Sequence, residues 1–169
     1  MLYRTLGRTG LDVSLLSYGT GGPRLFGQRT EMQLSEQKTL IRRCLDLGIN
    51  LFDTAEKYGQ SEGILGECFD GVPRDSYHVI TKWNMDDDGT ATKGPEDLAN
   101  AIDRSLRLLK TDYIDVFMFH GLTDANHDEA VKVYHPLFQL LQSEGKIRSI
   151  GLSTFFMQDP AQIGALKAL

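Results

Sequence analysis

Four near-continuous apolar runs limit what this chain can fold into. Residues 15–18, 49–53, 77–82 and 113–120 are rich in leucine, isoleucine, valine and aromatic residues, and residues 147–152 form a shorter fifth run. Strands that are apolar without alternation are those buried on both faces, as in parallel sheets covered by helices. The stretches between them carry helical punctuation. Ser35 is placed to N-cap a helix with Leu40, Ile41, Cys44 and Leu45 on one face, and Gly48 stands at its C′ position. Ile64, Leu65 and Cys68 mark a shorter helix after Ser61. Pro95 occupies a first helical position ahead of Leu98, Ile102, Leu106 and Leu109. Pro136 starts a helix with Leu137, Leu140 and Leu141 that Gly145 ends, and residues 127–135 before it read as an irregular or broken helical segment. At the amino end, residues 3–6 and 11–14 flank Gly7-Arg8-Thr9-Gly10 as a β-hairpin.

A hairpin followed by βαβαβαβαβ is a wound α/β architecture, either doubly wound and open or a (β/α)8 TIM barrel. The first long strand runs into Gly19-Thr20-Gly21-Gly22-Pro23 and a long loop, not into G-x-G-x-x-G opening a helix, which favours the barrel. That loop, residues 20–34, exceeds what a connection needs and is expected to cover a ligand. A full barrel takes about 250 residues and eight strands. With five strands in 169 residues, and a helical pattern still running at residues 165–169, the expectation is one domain over residues 1–169 forming an incomplete barrel. Its outer strand edges would invite self-association.

Composition excludes several classes. A net charge of −5 from interspersed acids and bases leaves no basic stripe, so no nucleic-acid partner is expected. Cys44 and Cys68 are expected to be buried and reduced. The amino terminus lacks a signal-like apolar run and no stretch reaches about 18 apolar residues, so no membrane partner and a cytoplasmic location are expected.

Four polar residues interrupt this pattern where strands end. Asp53, Lys82 and His120 close three of the runs, and Tyr58 lies five residues beyond Asp53. In parallel α/β folds, functional groups collect at the carboxyl ends of strands. A tyrosine, with a pKa near 10, is a weak acid unless a neighbour stabilises its phenolate. Lys82 at about 4 Å and an effective dielectric of about 20 would contribute roughly 4 kcal/mol, about three pKa units at most. A lysine among apolar residues needs an anion beside it to stay charged, and Asp53 can be that anion. A neutral His120 can donate a hydrogen bond to a substrate carbonyl. Singly, each residue has a plain structural reading: a cap, a loop aromatic, an ion pair, a strand-end histidine. Together, on one face, they form a proton-donating site.

The motifs around these residues resemble the aldo-keto reductase family of NAD(P)H-dependent carbonyl reductases. The resemblance runs from the opening hairpin through Gly48-Ile49-Asn50-Leu51-Phe52-Asp53-Thr54-Ala55, Tyr58-Gly59-Gln60-Ser61-Glu62, Thr81-Lys82, Asp112-Tyr113-Ile114-Asp115 and Gly145-Lys146-Ile147-Arg148-Ser149-Ile150-Gly151-Leu152-Ser153. It implies an oxidoreductase in which Asp53, Tyr58, Lys82 and His120 are the catalytic tetrad, with Tyr58 as the acid after hydride transfer. It also implies cofactor contacts at Gly19, Thr20, Asp53, Ser153 and Thr154, the last replacing a common asparagine. NADP(H) is expected in preference to NAD(H), with no metal, and a small aldehyde or ketone as substrate. Tyr58, Trp83 and His120 are the expected substrate contacts, although Trp83 could equally be simple packing. Two rival readings stay open: a remnant that keeps the tetrad without holding cofactor, and a barrel enzyme using Lys82 as a Schiff-base nucleophile.

Other features carry less. Asn84-Met85-Asp86-Asp87-Asp88-Gly89 imitates the start of a calcium loop, but Pro95 stands where its last ligand belongs. His78, His127 and His135 lack metal-ligand spacing. Arg24 and Arg29 read as solvated loop residues.

Overall fold

A computed structural model describes residues 1–85, 93–154, 157 and 160–167. The chain opens with an antiparallel hairpin of β1 (Tyr3–Thr5) and β2 (Asp12–Ser14), in which Tyr3 faces Ser14. There follow β3 (Tyr18–Gly19), α1 (Leu34–Asp46), β4 (Leu51–Asp53), α2 (Ser61–Cys68), β5 (His78–Trp83), α3 (Pro95–Leu109) and β6 (Ile114–His120). The last elements are α4 (Asp124–Glu129), a π-helical turn (Ala130–Tyr134), α5 (His135–Ser143), β7 (Ile147–Ser153) and α6 (Ile163–Lys167). Strands β3 to β7 form one all-parallel sheet in sequence order, the arrangement of consecutive barrel strands.

The helices start and stop for local reasons. The Gln33 N–H donates to the Glu36 carboxylate at 2.8 Å, so Gln33, not Ser35, caps α1. Gly48 follows at φ 82°, and its carbonyl accepts from the Tyr3 hydroxyl at 2.8 Å, tying the hairpin to the barrel. At α3 the Gly94 N–H donates to Asp97 at 2.7 Å, and Pro95 takes the position where a missing N–H costs nothing. The segment expected to be broken before Pro136 is helical throughout. The extra residue of the π turn takes up the hydrogen-bond shift at Ala130–Tyr134.

The core lies between sheet and helices, where Ile41, Phe52, Leu65, Leu98, Ile102, Ile114, Phe117, Phe138 and Ile147 are wholly enclosed. Cys44 and Cys68 are buried free thiols within it. The expectation of strands buried on both faces holds only toward the helices. Alternation places Val79, Thr81, Trp83, Phe117 and Phe119 beneath the helices, while Ile80, Met118 and His120 on the concave face are half-buried. Residues 15–18 do not form the expected strand. Leu15 and Leu16 are 57% and 62% exposed, and pairing begins only at Tyr18. Among the described residues, no helix is long and apolar enough to cross a membrane.

Candidate active site

Register brings the predicted residues together. Gly19 pairs with Asp53, Asp53 with Ile80, Lys82 with Met118 and His120 with Ser153. Paired residues in a parallel sheet project to the same face, and so do residues two apart. Asp53, Ile80, Lys82, Met118 and His120 therefore share the concave face. Lys82, 6% exposed, donates from Nζ to Asp53 Oδ1 at 2.7 Å and to the Thr54 carbonyl at 2.9 Å. Its ammonium lies 5.2 Å from the Tyr58 ring centre. The Tyr58 and His120 rings meet edge to face, 5.6 Å apart and inclined at 86°.

Electrostatics sharpen two roles. Burial, reinforced by the Lys82 and Lys57 charges, pushes His120 down to about 4, so its imidazole is neutral at pH 7 and keeps one N–H to donate. For Tyr58 the expected lowering is reversed: burial, and then the Asp53 carboxylate, raise its pKa. The hydroxyl is thus held protonated across neutral pH.

The His120 shift has a consequence for stability. Its folded-state pKa lies below the ordinary 6.5, so the unfolded chain takes up a proton that the folded chain refuses. Stability should be unaffected by this group above pH 6.5 and should fall as the pH drops from 6.5 toward 4. The loss is at most about 3 kcal/mol. Denaturant titrations across that window should show a flatter slope for His120→Gln, and equal slopes would remove the assignment.

Other predicted residues behave differently. Thr20 is fully buried, and its hydroxyl lies 2.9 Å from Thr54 Oγ1 and 3.1 Å from the Asp53 carbonyl, a tie between the ends of β3 and β4. Trp83 is 1% exposed on the opposite face from Lys82, against Tyr134 at 5.3 Å and beneath Lys93. It packs the helix layer and does not line the concave face. Gly19 is exposed, with open space where a Cβ would stand. Ser153 stays half-buried, its Oγ 3.3 Å from both the Phe119 carbonyl and the Gly121 N–H, and Thr154 is half-buried beside it. Arg24 and Arg29 are exposed, and the mock calcium loop from Asp86 onward lies outside the described residues.

Sequence reasoning missed several supports. Asn84, 2% exposed, donates to the His120 carbonyl at 2.8 Å. Glu56 pairs with Arg104 and approaches Lys93 at 3.8 Å, while its N–H holds the Lys82 carbonyl at 3.1 Å. Thr81 donates to the buried Glu62 at 2.7 Å, fixing α2 against β5. Glu56, Lys93 and Arg104 are ordinary surface residue types, so nothing in their pattern announces the cluster.

Comparison with known proteins identifies the family and the fold. The family model described as the aldo/keto reductase family matches residues 17–167. L-galactose dehydrogenase of Arabidopsis thaliana is 36% identical over 155 residues, covering 89% of this chain and 47% of that protein. The NADH-specific methylglyoxal reductase of Escherichia coli is 32% identical, covering 86% of this chain and 50% of that protein. Among solved structures, the aldo-keto reductase of Bacillus halodurans in its holo form superposes with a TM-score of 0.75 at 30% identity, covering 92% of this chain and 51% of that one. The chain spans about half the length of the curated relatives it matches. A parallel five-stranded part-barrel with this motif set, matched over nearly its whole length, belongs to the aldo/keto reductase family.

Proposed function

We propose that this chain carries the proton-donating half of an NAD(P)H-dependent carbonyl reduction, acting on an aldehyde or ketone with NADP(H) preferred. The observation behind this reading is the convergence of Lys82, Asp53, Tyr58 and His120 at the carboxyl ends of three adjacent strands. Gly19, Asp53, Ser153 and Thr154 are the residues that would hold the nicotinamide, because they rim the same strand ends and Gly19 offers open space there. The bound dihydronicotinamide supplies the hydride. Neutral His120 donates a hydrogen bond to the substrate oxygen and draws electron density toward it. Tyr58 then gives its hydroxyl proton to the developing alkoxide. A raised pKa is no obstacle, because an alkoxide is far more basic than a phenolate. Lys82, paired with Asp53 at 2.7 Å, faces the ring that becomes anionic.

The Schiff-base alternative is disfavoured because the Lys82 ammonium is committed to two acceptors at 2.7 and 2.9 Å. The non-catalytic remnant predicts no cofactor binding. NADPH should therefore be titrated into the chain by fluorescence and carbonyl turnover measured beside it. Tyr58→Phe should bind cofactor as the parent does and reduce carbonyls about 10²- to 10⁴-fold more slowly, the range for a lost general acid. Turnover unchanged in that variant would take the role from Tyr58.

A further inference from the structure

Three members of the tetrad are fixed by strands, but Tyr58 stands on the connection between β4 and α2. Its own segment holds it with little: its N–H reaches the Ala55 carbonyl at 3.0 Å and its carbonyl accepts from Ser61 N–H at 3.2 Å. Apart from the His120 and Lys82 contacts to its ring, further contacts come from the long loop after β3. Gln28 Nε2 lies 3.0 Å from the Tyr58 carbonyl, 2.9 Å from Ser61 Oγ and 2.7 Å from the Leu25 carbonyl. Gln28 Oε1 accepts from Gln60 N–H at 2.8 Å. Only this orientation of the amide suits its partners, since two carbonyls need donors and Gln60 N–H needs an acceptor. Gly59, at φ 63°, leaves room for it, because a Cβ there would lie 2.5 Å from Gln28 Oε1.

The same loop meets the ring. A Cβ on Gly21 would stand 2.3 Å from two carbons of the Tyr58 ring, so this position admits only glycine while the ring stays where it is. The loop is itself anchored. Phe26 is buried against Tyr18 at 5.6 Å, and its carbonyl accepts from the buried Gln37 amide at 2.7 Å.

We infer that the loop after β3 is the holder of the proton donor, with Gln28 a positioning residue for the Tyr58 backbone and Gly21 setting how far its ring can travel. This rests on the reading of Tyr58 as the acid. A proton donor must sit within hydrogen-bond reach of its acceptor, and a misplacement of about 1 Å can cost about 10²-fold in rate. Neither Gln28 nor Gly21 touches the other three members of the tetrad through any contact described above.

The test uses the chain labelled with [13Cζ]tyrosine, the Tyr58 line being assigned by its loss in Tyr58→Phe. Gln28→Leu removes the amide bonds, and Gly21→Ala presses on the ring without touching them. In both variants the Tyr58 line should shift or split, and its titration should move, while the lines of the other five of the six tyrosines stay in place. In turnover, kcat should fall about 10- to 100-fold with KM for the carbonyl little changed. Tyr58 lines superimposable on the parent's in folded Gln28→Leu or in Gly21→Ala overturn the inference, and Gly21→Ala carries the test alone if Gln28→Leu does not fold. Unchanged turnover in Tyr58→Phe would instead defeat the reading of the acid and leave the resonance result standing.

Discussion

Replacing Asp115 with alanine should remove about 3–5 kcal/mol of stability, a large share of the 5–15 kcal/mol typical of a domain. Asp115 is 1% exposed near the start of β6, accepts from three donors and faces one further cation. Arg74 Nη2 lies at 2.6 Å, Val79 N–H at 3.0 Å, His78 Nδ1 at 3.2 Å and Arg148 Nη1 at 3.7 Å. Arg74 also bonds the carbonyls of Tyr77 and Tyr113 and stacks over the Tyr113 ring at 3.9 Å, with Arg148 over the same ring at 3.5 Å. Without the carboxylate, a part-buried guanidinium and a buried backbone N–H lose their acceptor, and that unpaired state is the source of the cost. Burial alone would raise the Asp115 pKa, but the donors from His78, Arg74 and Val79 outweigh it and hold the carboxyl below its ordinary value. A depressed carboxyl stabilises the fold above its unfolded pKa, and that contribution is lost as pH falls through the folded one. Urea titrations at pH 7 should therefore show the full loss, and titrations near pH 3 a smaller one. A loss under about 1 kcal/mol at pH 7 would refute the assignment.

The second large effect separates stability from chemistry. Lys82→Met should leave Asp53 without its cation, costing about 1–3 kcal/mol, less than for a fully buried charge because the Asp53 side chain is 31% exposed and can hydrate. The double variant Asp53→Leu/Lys82→Met should recover most of that loss, since replacing a buried pair by apolar side chains is often neutral or stabilising. Both variants should lose carbonyl turnover by 10²-fold or more. The four corners of this cycle, measured by melting and by initial rate, decide the matter. A double variant that regains turnover along with stability would show that the pair is structural only.

Much of this was legible in the residues. Helical spacing after Pro95 and the apolar runs ending at Lys82 and His120 gave β5, α3 and β6 almost to the residue, because deep burial leaves few ways to arrange so many large side chains. The grouping of Asp53, Tyr58, Lys82 and His120 was legible because polar groups at apolar strand ends are costly unless they find partners. What failed depended on partners distant in sequence. Leu15 and Leu16 read as strand but are exposed, because strand pairing with β4 begins only at Tyr18. Trp83 next to Lys82 suggested a shared pocket, yet alternation along β5 sends the two side chains to opposite faces. The direction of the Tyr58 shift follows first from how deeply the fold buries its hydroxyl and then from the Asp53 carboxylate, and neither is encoded in the spacing. Gln28 is a polar residue in a polar loop, and only folding reveals what its amide holds.

The sheet order has a kinetic meaning. Asp53, Lys82 and His120 lie on β4, β5 and β6, each paired on both sides, whereas Gly19 and Ser153 lie on β3 and β7, the outer strands of the sheet among the described residues. Interior strands open to solvent only in the largest cooperative unfolding events, while outer strands open in smaller ones. Asp53, Lys82 and His120 should therefore exchange their amide hydrogens slowly and as a block, and the strand ends that flank them should exchange on a faster clock. A molecule bound across both would act as a clasp on the faster part, with its occupancy written in the protection of β3 and β7 before any change reaches the interior strands.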